Sequence, residues 1–258
     1  MAIYLYCLTE PGCEPPAELR GLAGEAVRVV AAAGRVAAWV SDLPEGLGPA
    51  TAELARAHDR VVRAALAHET PLPARFGQSF ASDAALRREL DSRTAALERS
   101  LGRVRGGVEM TVRVLLSGAS GPETTGAGRS GPRAREGVHT QGEVETAGAA
   151  GVAGGAGGAG RAYMARLRER QRESGELKRE AEFLQARVAR AVDGLAREEV
   201  CSSVMPGAHS FSLSHLVARE AVGEYRLAVD SLVKSDPSLR MLVSGPWAPY
   251  SFARIAGE

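Results

Sequence analysis

Five histidines, three cysteines and several closely spaced carboxylates are the residues of this chain whose types could carry chemistry. His58 and His68 lie ten apart on a stretch with helical periodicity, so they are not the i, i+4 pair of a helical metal site; no HExxH or clustered Cys/His spacing occurs. His139 falls in a Gly-rich tract, and His209 and His215 flank or enter an apolar run. Cys7, Cys13 and Cys201 form no CxxC pair and are too few for a disulfide framework, a usage that fits the cytosol. Nucleophilic catalysis would fall to Cys7, Cys201 or the Ser214-His215 pair. Neighbours on a strand point to opposite faces, which keeps Ser214 out of reach of His215. No GxSxG elbow is present, and the Gly154-Gly155 and Gly157-Gly158 runs neither follow a strand nor lead into GK[ST]. Glu198-Glu199 and the Glu180, Glu182 pair have arginine neighbours at helical steps, the signature of a solvated helix face. These residues point to no catalytic group, no metal and no cofactor.

The elements that must position such residues divide at a glycine-rich tract. Ile3 to Leu8 reads as a buried strand, Ala17 to Leu22 as a short helix, and Ala26–Ala33 with Arg35–Ser41 as a hairpin joined at Gly34-Arg35, which places Val27 and Val29 beside Val36 and Trp39 or Val40. Leu54, Ala57, Val61, Ala65 and His68 recur at three- and four-residue steps, predicting a helix over 49–69 that Pro71 and Pro73 stop. Ser82 caps a second helix, with Leu86, Leu90, Leu97 and Leu101 on one face. Val108, Met110, Val112, Val114 and Leu116 then alternate with polar residues as a fifth strand of this first domain, residues 1–116.

Residues 117–160 hold 14 of the 30 glycines and no Leu, Ile, Met, Phe, Tyr or Trp, a composition unable to bury enough apolar surface to offset its ordering entropy. They are expected to be a flexible linker. A second domain, residues 161–258, opens on a helical stretch from Arg161 to Val200. There Leu177, Ala181, Leu184, Val188, Ala191 and Leu195 keep coiled-coil spacing, and Gly175 predicts a kink or a break between two helices. A strand over 211–217, a helix over 219–234 and a strand over 240–244 complete it. The fold class expected is α+β in two domains, the first a ferredoxin-like variant and the second bearing long coiled-coil-like helices.

Charge narrows the partners. Of 258 residues, 45% are hydrophobic and 24% charged, with 32 basic and 31 acidic groups. Residues 1–116 balance 14 arginines against 14 acids, and residues 161–258 carry 15 basic and 13 acidic groups. Neither half has the footprint of a nucleic-acid binder. No run approaches the 18 or so apolar residues of a spanning helix, and with Arg20 as the first positive side chain no secretory signal is expected. The segment 161–172 sets five arginines against Glu169 and suits either solvent or an acidic partner surface.

Two segments combine aromatic side chains with proline and glycine: Glu69-Thr-Pro-Leu-Pro-Ala-Arg-Phe-Gly-Gln-Ser-Phe80 and Ser244-Gly-Pro-Trp-Ala-Pro-Tyr-Ser-Phe252. Preorganised backbone bearing large side chains suits contact with a partner, and equally suits covering the open end of a sheet. His58-Asp-Arg-Val-Val62, Pro71-Leu-Pro-Ala-Arg-Phe-Gly77, Gly160-Arg-Ala-Tyr-Met-Ala-Arg166 and Gly245-Pro-Trp-Ala-Pro-Tyr-Ser-Phe252, in this order, resemble the gas vesicle protein F/L family. The resemblance implies a non-enzymatic accessory protein of gas vesicle formation, found in the cytoplasm and at the gas vesicle. It also implies contact with other gas vesicle proteins, including the small hydrophobic shell subunit. Residue by residue it points to Arg75, Phe76 and Gly77, to Tyr163 and Arg166, and to Gly245, Pro246, Trp247, Pro249 and Tyr250 as candidate contacts. The chain departs from the family at Met164, Ala248 and Ser214-His215, and in the long linker. The rival expectations are a small-molecule binder with a polar pocket near Arg75 between the domains and, remotely, an enzyme built on His58 with Asp59 or His68.

Overall fold

The structure is a computed structural model that describes residues 1–43, 49–116, 156–202 and 210–253, apart from some side chains between 156 and 173. Two antiparallel sheets dominate it. The first contains β1 (Ile3–Thr9), β2 (Arg28–Ala31), β3 (Ala37–Asp42) and the two-residue strands β4 (Leu72–Pro73) and β5 (Ser79–Phe80), in the order β2-β3-β1-β4, with β5 also on β1. The expected hairpin is present, and Val29 pairs with Trp39. The order is that of a ferredoxin-like sheet, but the first crossover carries only a 3-10 turn, Leu22–Gly24, in place of the helix expected over 17–22. Pro15 and Pro16 lack N–H donors and pin the chain just before that stretch.

Helices cover both faces of this sheet. Helix α1 (Ala52–His68) starts where Thr51 accepts from the Leu54 N–H at 3.2 Å. Its Ala57, Val61, Val62 and Ala65 pack on Tyr4, Tyr6 and Trp39. Against the opposite face, Leu86, Leu90, Leu97 and Leu101 join Ile3, Leu5, Ala38 and Val40. Those leucines share a face as expected, but they belong to two helices, α2 (Asp83–Ser92) and α3 (Thr94–Val104). The break is at Arg93, with φ −120° and ψ 9°. Ser92 and Thr94 flank it with hydroxyls bonded back to the carbonyls of Glu89, Leu90 and Asp91, which compete with continued helix. Arg28 on β2 forks onto Asp83 at 2.8 Å and Asp42 at 2.9 Å, fastening α2 to the sheet. The two carboxylates raise the guanidinium pKa further.

The second sheet holds β6 (Gly107–Leu115), β7 (Ala196–Cys201), β8 (Ser210–Ala218) and β9 (Arg240–Trp247), in the order β7-β8-β6-β9. This corrects the expectation for the Val108–Leu116 strand. It is not the fifth strand of the first sheet but a central strand of the second, paired with β8 along its whole length and with β9 on its other side. With α4 (Ala156–Ala191) and α5 (Val222–Ser235) the sequence of elements is β-α-β-β-α-β, a complete ferredoxin-like unit that needs β6 as its first strand. Alternation explains the choice: Met110, Val112 and Val114 meet Leu213, Val217, Tyr225 and Val229 in one core.

Helix α4 differs from expectation at both ends. It begins inside the tract expected to be linker, whose remaining residues 117–155 lie outside those described, and it runs unbroken through Gly175. It stops at Ala191; Ala196 to Val200, expected to be helical, belongs instead to the edge strand β7. The seam residues Ala181, Leu184 and Val188 are buried with Val192 against the second sheet, with Leu177 and Leu195 partly so, which makes the chain's own sheet the partner of that stripe.

Candidate interaction site

The segment after α1 returns along β1. Leu72 and Pro73 pair with Leu8 and Cys7, and Ser79 and Phe80 with Tyr4 and Ile3. Between them, the Ala74 N–H donates to the Tyr6 carbonyl at 2.9 Å and the Leu5 N–H to the Gln78 carbonyl at 3.0 Å. Arg75, Phe76 and Gly77 are thereby held in a tight turn on the edge of the first sheet. Gly77 has φ +94°, a conformation that side-chain-bearing residues rarely adopt. Its N–H donates to the Tyr4 hydroxyl at 3.0 Å, and that hydroxyl is hydrogen-bonded to His58 Nδ1 at 2.9 Å. Phe76 sits 5.9 Å from the His58 ring, nearly perpendicular to it, and 6.3 Å from Tyr4.

His58 is therefore the hub of an aromatic cluster of Tyr4, Tyr6 and Phe76. It is buried, and burial drives its pKa down to about 4, opposed by the Ala74 carbonyl that Nε2 faces. Its Nε2 is buried and has no partner in full hydrogen-bond geometry. Asp59 points away to Arg63 at 2.7 Å, so His58 and Asp59 form no acid–base pair. Among the described residues no group of three or more His, Cys, Asp or Glu is placed to hold a metal ion, and no helix is long and apolar enough to cross a membrane.

The C-terminal element reaches the same place from the other sheet. Strand β9 continues past Ser244 through a cis Gly245-Pro246 bond to Trp247, three residues beyond the expected end. Gly245 has φ +115°, and a Cβ there would lie 2.7 Å from the Glu109 carbonyl oxygen. Trp247 pairs with Glu109 on β6, and its indole lies under Arg63 of α1, the guanidinium carbon 4.6 Å from the ring centroid. Ala248 is buried in the cluster around Tyr4 and Trp39, and Phe252 in the cluster on the other face of the first sheet. Glu109, a buried carboxylate, accepts the Ser251 N–H at 2.8 Å and its hydroxyl at 2.7 Å. The Gly245–Phe252 segment thus fastens the two halves together.

The ten candidate residues divide accordingly. Arg75 and Pro246 are exposed, Phe76, Gly77, Gly245 and Trp247 are half-buried, and Pro249 is buried. Tyr250 keeps 41% of its surface open while its hydroxyl end is turned inward towards Asp59 and Tyr4, where burial raises the phenol pKa. Arg75, Phe76, Gly77 and Tyr250 line one cleft of about 780 Å³ between the halves, walled by Leu90 and Arg93 on one side and Val200 and Ser212 on the other. Tyr163 is apart from them on the N-terminal half of α4, 66% exposed, about 27 Å of helix from Ala181 where the buried stripe is established. The Arg166 side chain lies outside those described.

One network had no forecast. His215 is buried on the helix-covered face of β8, between Glu199 at 3.0 Å and the Tyr225 hydroxyl at 2.8 Å. A carboxylate only accepts, so Nε2 carries the proton and Tyr225 donates to Nδ1. Burial lowers the His215 pKa, against the pull of Glu199. Gln185 of α4 donates to the other Glu199 oxygen at 2.7 Å, joining α4, β7, β8 and α5. The apolar alternation of 211–217, which puts position 215 on the inward face, was the available signal.

A family model described as gas vesicle synthesis protein GvpL/GvpF matches residues 2–254. The chain belongs to this family. Gas vesicle protein L of a Streptomyces species is 30% identical over 214 residues, covering 80% of this chain and 71% of the relative. Gas vesicle protein F of the same Streptomyces is 29% identical over 234 residues, covering 85% of this chain and 84% of the relative. Among solved structures, gas vesicle protein GvpF from Anabaena superposes with a TM-score of 0.69 at 19% identity, over 99% of this chain and 97% of that one. GvpF from Microcystis aeruginosa gives 0.66 at 16% identity, over 98% and 99%. The fold is thus that of the GvpF structures, two antiparallel sheets with their helices. The family places the chain in gas vesicle formation.

Proposed function

We propose that this GvpL/GvpF-family protein is a non-enzymatic accessory factor of gas vesicle formation that acts by binding other gas vesicle proteins, including the small hydrophobic shell subunit, and works in the cytoplasm and at the vesicle. The observation that carries this reading is convergence: Arg75-Phe76-Gly77 and Trp247-Tyr250, about 170 residues apart in sequence, meet around α1 through His58 and Arg63. Arg75, Pro246 and the open edges of Phe76, Trp247 and Tyr250 supply contact area there, and Gly77, Gly245 and Pro249 shape the backbone beneath it. Tyr163 and Arg166 supply a second contact on α4. The two buried histidines, each held against a tyrosine hydroxyl and each with its pKa lowered by burial, support a structural rather than a catalytic use. Deleting the gene in a gas-vesicle-forming host tests the reading. Loss of vesicles, restored by the wild-type gene and not by a gene carrying Arg75→Glu and Tyr250→Ala, is expected; undiminished vesicle formation contradicts it.

A second reading, binding of a small molecule between the halves, is favoured by the cleft beside Arg75, whose volume is in the range of ligand sites. A thermal-shift screen of the purified protein against metabolites tests it, and no stabilisation by any of them counts against it.

A further inference from the structure

The two sheets are covered differently. The first has α1 on one face and α2 with α3 on the other. The second has α4 and α5 together on one face, over Met110, Val112, Val114, Leu213 and Val217. Its opposite face begins under the first half, where Glu109 holds Ser251 and Val200 packs against the core of the first sheet. Beyond Ser214 nothing described covers it. Register puts Arg113 opposite Ser212 and Leu242, and Leu115 opposite Ser210 and Arg240, all on this face. Leu242 is 66% exposed and Leu115 42%, diagonal neighbours across β6 and β9 and an unusual pair to find on a sheet face in water. Arg113 and Arg240 flank them, and the strand residues at this end include no carboxylate. The face runs on into the cleft at Ser212 and Ser214, where Arg93 and Arg75 add further positive charge against Glu89.

We propose that this uncovered face, from Leu115 and Leu242 to the cleft, is the docking surface for an amphipathic helix of another gas vesicle protein, one whose apolar stripe is bordered by carboxylates. The inference rests on the reading that the chain works through protein contacts and names one such contact. A helix is the element that already covers the other face of this sheet, and a helix laid in a groove by its apolar side is a recurrent mode of recognition. Charge chooses the partner. A second copy presenting the same face would set arginine against arginine, and the exposed half of α4 from another copy carries Arg166, Arg168 and Arg172 against Glu169 and Glu173 in sequence. Residues 117–155 of the chain itself have no Leu, Ile, Met, Phe, Tyr or Trp with which to cover two leucines. An acidic-bordered helix satisfies both the leucines and the arginines.

The test places the photoreactive amino acid p-benzoylphenylalanine at Leu242 of the full chain, in a host assembling gas vesicles, and maps the cross-linked residues by mass spectrometry. The expected product joins position 242 to an apolar position of a helix in another gas vesicle protein with Asp or Glu three or four residues away, and Arg113→Glu with Arg240→Glu lowers its yield about tenfold. A cross-link to residues 117–155, to a second copy, or to no protein overturns the proposal, as does a yield indifferent to the charge reversals. In parallel, Leu115→Arg with Leu242→Arg is expected to abolish vesicle formation while leaving the melting temperature unchanged, since both side chains face solvent. Normal vesicles with that variant overturn the docking face alone, whereas normal vesicles without the gene overturn the broader function.

Discussion

Arg63 of α1 sits over the indole of Trp247 at the end of β9, 4.6 Å from guanidinium carbon to ring centroid. Arg63 is also paired with Asp59 one turn earlier, so a helix of the first half is held to the last strand of the second by a cation–π contact whose cation is itself oriented. A double-mutant cycle with Arg63→Ala and Trp247→Ala, followed by chemical denaturation, is expected to give a coupling energy of about 0.5–1 kcal/mol. Strict additivity would show that the stacking contributes nothing.

The Glu109–Ser251 bond closes the same junction from below. Glu109 is buried, and its two oxygens are satisfied by the backbone and hydroxyl of a single residue, with Ser214 also 3.2 Å from that hydroxyl. Ser251→Ala removes one donor from a buried carboxylate and is expected to destabilise the protein by about 1–3 kcal/mol. Thermal melts of the variant and of Ser251→Thr, which keeps the hydroxyl, separate this loss from a change of shape.

Gly245 admits no side chain, because its φ is +115° and a Cβ would press on the Glu109 carbonyl and Met110. Gly245→Ala is expected to cost at least about 1–3 kcal/mol. Gly102 on α3, where a Cβ meets open space, makes the control: Gly102→Ala is expected to be neutral or stabilising by up to about 1 kcal/mol.

Acid sensitivity follows from His58. Its folded pKa, about 4, lies below the unfolded value near 6.5, so between those values the unfolded chain binds the extra proton. The stability it supports is complete above about pH 6.5 and declines as pH falls towards 4, by up to about 3 kcal/mol. His215, lowered in the same direction, adds to the slope. Denaturation measured from pH 7 to 4 is expected to show this decline, and a His58→Gln variant a shallower one; equal slopes would mean that His58 is already solvated.

Much of the fold was legible because it is local. The β2-β3 hairpin, the Thr51-capped α1, the inward leucines of α2 and α3 and the alternation of β6 all follow from period and turn chemistry. Misplacing β6 has a physical reason. Alternation fixes which face of a strand is apolar but not which sheet buries it, and its partners β8 and β9 lie roughly 100 or more residues away across the glycine-rich tract. Residues 196–200 of β7 were misassigned because an edge strand with no buried residue carries no apolar period, and its Arg197-Glu-Glu199 run imitates a helix surface. At the site, the motif residues were visible as aromatic and proline-rich segments, but their convergence was not. Nothing local connects Tyr4, His58 and Gly77, whose hydrogen bonds span 54 and 73 residues.

The central claim is that the chain works by contact with other gas vesicle proteins through the surface where Arg75 and Tyr250 meet. Co-purification of the tagged full-length protein with the shell subunit, from a host expressing both, measures this most directly. The account predicts capture by the wild type and its loss on Arg75→Glu combined with Tyr250→Ala, in a variant whose circular dichroism spectrum shows it folded. Equal capture by the wild type and that folded variant, or no capture by either, would contradict it.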